Sequence, residues 1–215
     1  MSLRNFAPLT NNKQMLNNTS AGFTTIATLL KQNPLFVFAL ESEAADEFED
    51  VNSLIVGIGK VHAAYNLTKR IAQEKPGIIV NLGSAGSNTF KRGEVVCCTE
   101  FIQRDMDVTG LGYRKYETPF SGEEPLLQYG LTLEGLPHGV CGTGDNFETA
   151  HIEAAYNVLD MEGYSLAYIA KKEAIPFLCL KYISDGADGA AAEDWLVQVH
   201  NAAAAFRKII DELRK

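Results

Sequence analysis

From Pro34 onward, short continuous apolar runs alternate with stretches whose apolar residues recur at helical spacing. Leu35-Phe-Val-Phe-Ala-Leu40, Ser53-Leu-Ile-Val-Gly57 and Gly77-Ile-Ile-Val-Asn-Leu-Gly83 read as buried strands, and Gly93 to Phe101, Gly139 to Gly144, Val158 to Met161 and Ile175 to Ile183 continue the series. Runs that are apolar at nearly every position suit strands covered on both faces. Between them, Glu41 to Glu49 reads as a short acidic helix or turn. Val61 to Glu74 reads as a helix with Ala64, Leu67 and Ile71 inward, stopped before Pro76. Glu162 to Glu173 is a further helix. Ala192 to Leu213 is a long amphipathic one, with Trp195, Val199, Ala203, Phe206 and Ile210 on one side. This alternation predicts an α/β fold: a single-domain α/β/α sandwich around a mixed, largely parallel twisted sheet. Residues 1–33 read as a polar, Asn- and Thr-rich lead followed by a short helix, and residues 34–215 as one domain. Tyr113 to Leu126 is polar, with Gly and Pro, and reads equally as a mobile flap or a surface loop.

Composition narrows the function classes. A chain of 215 residues, 46% hydrophobic and 21% charged, can bury one sizeable core. The formal net charge of −8 repels polyanions, so neither nucleic acid nor an anionic membrane is an expected partner. The apolar patch Ala21 to Leu30 contains three threonines, far short of a membrane span and a poor signal segment; a cytoplasmic location is expected. Cys97, Cys98, Cys141 and Cys179 form no C-x-x-C pair and lie in strand-like runs, as buried reduced thiols do. His62, His138, His151 and His200 have no zinc-type spacing.

The candidate chemistry sits where strands end, since ligands of open parallel sheets bind beyond the carboxyl ends of the strands. Ala39-Leu-Glu-Ser-Glu43 follows the first strand; its acid is either a general base or a carboxylate at a helix N-terminus. Gly57-Ile-Gly-Lys60 allows close backbone approach, but neither a P-loop nor a full dinucleotide fingerprint is present, because Ala63 stands at the third glycine position. Asn81-Leu-Gly-Ser-Ala-Gly-Ser87 is either a backbone N–H cradle or an ordinary turn. In Gly142-Thr-Gly-Asp-Asn-Phe147 the aromatic either stacks on a flat ligand or belongs to the core. Asp160-Met-Glu-Gly163 and Ile183-Ser-Asp185 add acids at two further strand ends. Three carboxylates on one edge (Glu43, Glu162, Asp185) suit a ligand with several hydroxyls and a protonatable atom.

Taken together, these segments resemble the 5′-methylthioadenosine/S-adenosylhomocysteine nucleosidases of the nucleoside phosphorylase superfamily. The matching stretches are Ala39 to Glu43, Gly57 to Val61, Asn81 to Gly86, Asp105-Met-Asp-Val-Thr-Gly-Leu-Gly-Tyr113, Gly144 to Phe147, Asp160 to Gly163 and Ile183 to Asp185, in the family's order across roughly residues 35 to 205. The resemblance implies a nucleoside phosphorylase-like catalytic domain over residues 34–215. It also implies hydrolysis of the N-glycosidic bond of an adenine nucleoside with a 5′-thio substituent, no cofactor or metal, a homodimer, and a place in methionine salvage. Catalysis would fall to Glu43, which activates water, and to Asp185, which delivers a proton to purine N7, oriented by Ser84 and Ser184. Glu162 would hold the ribose hydroxyls over Met161. Phe147 would stack on the base, and the Glu148 backbone would read its edge. Ala85 and Gly86 would flank the substrate, while Leu40, Ile58, Val108 and Trp195 would line the ribose and 5′ region.

The chemistry is consistent with those residue types. Cleaving an N-riboside builds oxocarbenium character at the anomeric carbon, and the poor purine leaving group needs a proton. The competing readings are a phosphorylase of the same fold and a non-catalytic nucleoside-binding protein; a nicotinamide-type oxidoreductase is disfavoured by the broken glycine pattern. The Val80-Asn-Leu-Gly-Ser84 strand lacks the arginine that superfamily phosphorylases place before the Gly-Ser turn, and a phosphate dianion needs compensating charge. Several positions depart from the family. Only 14 positions separate Glu43 from Gly57, too few for the usual extra hairpin. Lys181 replaces an Arg, Glu148 replaces an apolar residue beside the base, and Leu111 replaces an aromatic.

Overall fold

Alternate residues of the central strands pack into two different apolar cores, one on each face of the sheet. The computed structural model describes residues 23–151, 153–189 and 191–215. In β1 (Pro34–Phe38), Leu35 and Val37 enter one core while Phe36 and Phe38 enter the other. In β8 (Phe177–Asp185), Phe177, Cys179 and Ile183 face the first core and Leu178, Leu180 and Tyr182 the second. The two-residue strand period therefore divides a continuous apolar run between two layers.

Helices cover both faces. Ala63, Leu67 and Ile71 of α3 (Lys60–Gln73) and Leu166, Ala167 and Ala170 of α4 (Gly163–Lys172) close the first core. The inward stripe of α3 thus begins at Ala63 rather than Ala64, which keeps the buried positions four apart along one face. The second core is closed by Ile26 of α1 (Phe23–Leu29), Ala44 of α2 (Glu41–Ala44), the following Phe48, and Ala202, Phe206, Ile210 and Leu213 of α5 (Ala191–Leu213). Ala203 and Phe206 are buried as the sequence pattern expects; the Val199 side chain and the polar lead over residues 1–22 lie outside the described residues.

The other strands are β2 (Ser53–Ile55), β3 (Ile78–Gly86), β4 (Val95–Gln103), β5 (Leu126–Gln128), β6 (His138–Thr143) and β7 (Val158–Asp160). The sheet is mixed and largely parallel. The β1–β2, β1–β3, β3–β8, β4–β6 and β6–β7 pairs are parallel, while β3–β7, β4–β5 and β4–β8 are antiparallel. β5 falls at the end of the stretch read as a loop, where three residues pair with β4.

Two features position the site. β3 and β8 run past the ends of their apolar runs because their small and polar residues pair with one another, Ser84 with Tyr182 and Ala85 with Ile183. A register shift then sets Gly86 opposite Asp185, and such a bulge re-aims the side chain beside it. Second, β7 crosses the end of β3 antiparallel, at Gly86 and Leu159. The pairings β3–β8–β4–β6–β7–β3 thereby close a ring. Glu43 and Asp185 come from the shared carboxyl edge of β1 and β8; Glu162 reaches the same place from the closing strand.

Candidate active site

Every residue given a site role from the sequence except Val108 lines one cavity of about 240 Å³, a little below the roughly 300–1,000 Å³ usual for small-molecule sites. Val108 precedes the 3-10 turn Thr109–Leu111 and stays outside. The chain turns away there because Asp105 is tied to Lys60 Nζ at 2.5 Å and accepts from the Asp145 N–H at 2.9 Å.

Glu43 is buried at the start of the cavity, in the third position of α2, and both of its oxygens are engaged. Oε2 accepts from the backbone N–H of Ala39 at 3.0 Å and of Leu40 at 3.2 Å. Oε1 accepts from the backbone N–H of Ser84 at 2.8 Å and from its hydroxyl at 2.6 Å. Ser84 Oγ in turn accepts from the Trp195 indole N–H at 2.9 Å, so the first turns of α5 help fix the carboxylate. Four donors on one carboxylate hold it in a single orientation at the cavity wall.

Asp185 closes the opposite end of β8. Its Oδ2 accepts from the Ser184 hydroxyl at 2.8 Å and its Oδ1 from the Ala187 N–H at 3.0 Å. A Cβ at residue 86 would lie 2.6 Å from Asp185 Oδ1, so only glycine fits beside it.

Glu162 Oε1 accepts from the Gly59 N–H at 2.8 Å, which joins the Gly57–Lys60 turn to the residue after β7. Burial, reinforced by the neighbouring Asp160 charge, pushes the Glu162 carboxyl up to about 8. The group is therefore poised to be neutral, able both to donate and to accept a hydrogen bond. Asp160 behaves oppositely. Burial works against its charge, but the Lys181 ammonium 2.8 Å away outweighs burial and holds Asp160 below the usual carboxylate range. Thr143 Oγ1 at 2.5 Å and the Gly163 N–H at 2.7 Å complete its shell. Burial would lower Lys181 in the same way; Asp160 outweighs it, and the ammonium is raised. Either ion alone at this depth would cost several kcal/mol, of order 3–5 when one partner is lost. A Cβ at Gly83 would stand 3.3 Å from Lys181 Nζ and 3.5 Å from Glu43 Oε1, so this glycine leaves the ammonium open to the catalytic edge.

Phe147 is half-exposed at the rim, and Met161 and Ile58 contribute apolar wall. The Glu148 side chain, an acid at a position read as an apolar base neighbour, does not stand free. Its Oε2 lies 3.1 Å from Arg104 Nη1, and its Oε1 2.9 Å from His151 Nδ1. Arg104 and Asn146 also line the cavity and were not singled out from the sequence; neither was Lys181's buried partnership with Asp160. A lone lysine inside the apolar run 175–183 was the available signal for that pair, because a charge there must be partnered. All four cysteines are buried free thiols.

The sequence profile of the Phosphorylase superfamily matches residues 10–215. The 5′-methylthioadenosine/S-adenosylhomocysteine nucleosidase of Haemophilus influenzae (strain PittEE) is 31% identical, over 77% of this chain and 82% of its own length. Among solved structures, the Helicobacter pylori enzyme of that name superposes with a TM-score of 0.76 at 19% identity, covering 85% of this chain and 97% of that one. The futalosine hydrolase of Helicobacter pylori reaches 0.74 at 18% identity, covering 86% and 97%. At these identities the two structures establish the fold, and the profile together with the Haemophilus relative establishes the lineage. The chain belongs to the phosphorylase superfamily and, within it, to the 5′-methylthioadenosine/S-adenosylhomocysteine nucleosidases.

Proposed function

We propose that the cavity hydrolyses 5′-methylthioadenosine, S-adenosylhomocysteine or a closely related adenine nucleoside, releasing adenine and the free ribose derivative. As a nucleosidase the chain is an N-ribosyl hydrolase. The observation that carries the choice of water over phosphate is the occupancy of the donor cradle. The N–H groups of Ala39, Leu40 and Ser84 and the Ser84 hydroxyl all point at the Glu43 carboxylate. An oxyanion of phosphate has no vacant donor set there and would face a carboxylate.

In this reading the base stacks on Phe147 and the ribose lies over Met161 with its hydroxyls on Glu162. Asp185, held by Ser184 and Ala187, delivers a proton to purine N7 as the C1′–N9 bond breaks and its electron pair moves into the base. Glu43 takes a proton from the water that attacks C1′. The test is product analysis with 5′-methylthioadenosine. In phosphate-free buffer the expected products are adenine and 5-methylthioribose. Formation of 5-methylthioribose 1-phosphate, and only when phosphate is added, would overturn the hydrolytic reading.

A homodimer belongs to the same proposal. Val61 and Tyr65 on α3, together with Leu111 and Phe120 in the loops after β4, are large apolar side chains left exposed, and a partner's Val108–Leu111 turn would supply the part of the 5′ wall that this chain leaves open. Sedimentation at assay concentration is expected to give twice the 23.5 kDa chain mass; a monomer that is fully active removes this claim. Among the described residues no helix is long and apolar enough to cross a membrane. A cytoplasmic location and a place in methionine salvage complete the proposal; the salvage role falls if 5′-methylthioadenosine is not cleaved.

A further inference from the structure

We propose that Arg104 is a further catalytic residue, a fixed positive charge that donates to the departing base and stabilises the negative charge growing on it. The inference rests on the nucleosidase reading of the cavity. Arg104 follows β4 directly, lines the cavity, and its side chain is only 5% exposed. Nη1 donates to Asn146 Oδ1 at 2.8 Å, and Nη2 donates to the Asn146 carbonyl. Nε is buried with no hydrogen-bond partner among the described residues. An unsatisfied buried donor is costly, and a ligand acceptor is the natural way to satisfy it in a binding cavity.

The acid nearest the guanidinium is also engaged elsewhere. Glu148 lies beside Arg104, but it is shared with His151. His151 Nε2 stands 3.0 Å from the Tyr156 carbonyl oxygen, which can only accept, so this nitrogen carries a proton. Nδ1 stands 2.9 Å from Glu148 Oε1. That contact occupies the Glu148 oxygen that does not face Arg104. Glu153 is engaged by Lys115 at 2.6 Å, and Lys60 is shared by Asp105 at 2.5 Å and Asp145 at 3.7 Å. A preorganised positive group where negative charge develops acts most strongly in the transition state. Arg104 keeps its protons throughout; it hydrogen-bonds the base while Asp185 transfers the proton.

The test compares 5′-methylthioribosides of adenine and of 6-chloropurine, the latter a better leaving group that needs less help. Arg104→Gln is expected to lower kcat roughly 10- to 100-fold for the adenine compound and only a few-fold for the chloropurine, with Arg104→Lys recovering part of the loss. Because Arg104→Gln strands Glu148, the double variant Arg104→Gln/Glu148→Gln, which keeps a neutral pair, is measured beside it and should show the same selectivity. An equal fall on both substrates would mean that Arg104 only clamps the Asn146–Glu148 loop, and no fall would leave it without a role; either result overturns this inference alone. If the unaltered protein cleaves neither compound, the nucleosidase reading fails and the inference with it.

Discussion

Asp185→Asn is expected to lower kcat for adenine nucleosides by about 10²–10⁴-fold, the usual contribution of a positioned general acid, while the fold stays intact. Asn retains an oxygen that accepts from Ser184 or Ala187, donors that help fix Asp185. Its amide can hydrogen-bond purine N7, so binding should survive, but it cannot give N7 a proton. The signature is a fall in kcat with KM, or the Kd of a bound non-hydrolysable analogue, changed only a few-fold. A purine with a better leaving group should lose less, as with Arg104, since both residues act on the departing base; they differ in that only Asp185 supplies a proton. A variant within tenfold of normal kcat on the adenine compound would remove Asp185 from the role of acid. A large loss of binding with an unchanged kcat would make it a recognition residue instead.

The parts of this arrangement that could be read from the chain are those coded locally. Apolar runs such as Leu35–Phe38 and Phe177–Leu180 mark their strands because every position is buried, and the acids that follow them, Glu43 and Asp185, are near enough in sequence to be assigned to strand ends. Asp160 and Glu162 were visible for the same reason. What the runs do not carry is the manner in which the sheet closes. That depends on a single antiparallel pairing of Gly86 with Leu159 and on a bulge after Ala85, neither of which alters the hydrophobic pattern. The extension of β3 and β8 beyond Gly83 and Ile183 was hidden likewise, since Ser84, Gly86 and Asp185 look like turn residues until each is given its ladder partner, and Ser184 is the residue the register shift leaves unpaired in the ladder. Arg104 was illegible for a different reason. Its partners Asn146 and Glu148 arrive from another strand end more than forty positions away, and nothing in its own neighbourhood distinguishes it from a surface arginine. Glu148 was visible as a departure from the family, but the departure becomes interpretable only when Arg104 and His151 are seen to share it.

Glu43→Gln should act on rate and stability together, and in this it differs from Asp185→Asn. The carboxylate accepts from four donors, two on each oxygen. A glutamine has one oxygen, so whichever way the amide turns it can satisfy only one side. Its NH₂ then faces either the Ala39 and Leu40 N–H groups or the Ser84 N–H and hydroxyl, a donor against donors in a buried place. Leaving such groups unsatisfied costs about 1–3 kcal/mol, which for a chain of this size lowers Tm by roughly 2–4 °C per kcal/mol. Water attacking C1′ loses its general base at the same time, so kcat is expected to fall by about 10²–10⁴-fold. Glu43→Ala separates the two effects: it too lacks a base, but without an NH₂ it opposes no donors, and space opens for water to reach Ser84 and the Ala39 and Leu40 amides. The alanine variant should therefore be as slow as the glutamine variant, while its melting temperature reports on the donor cradle alone. Near-normal turnover in either variant would refute the role of Glu43 as base. An unchanged Tm in Glu43→Gln would show that the four donors are not held by the carboxylate in solution, and with that the argument excluding phosphate from the cradle would lose its footing.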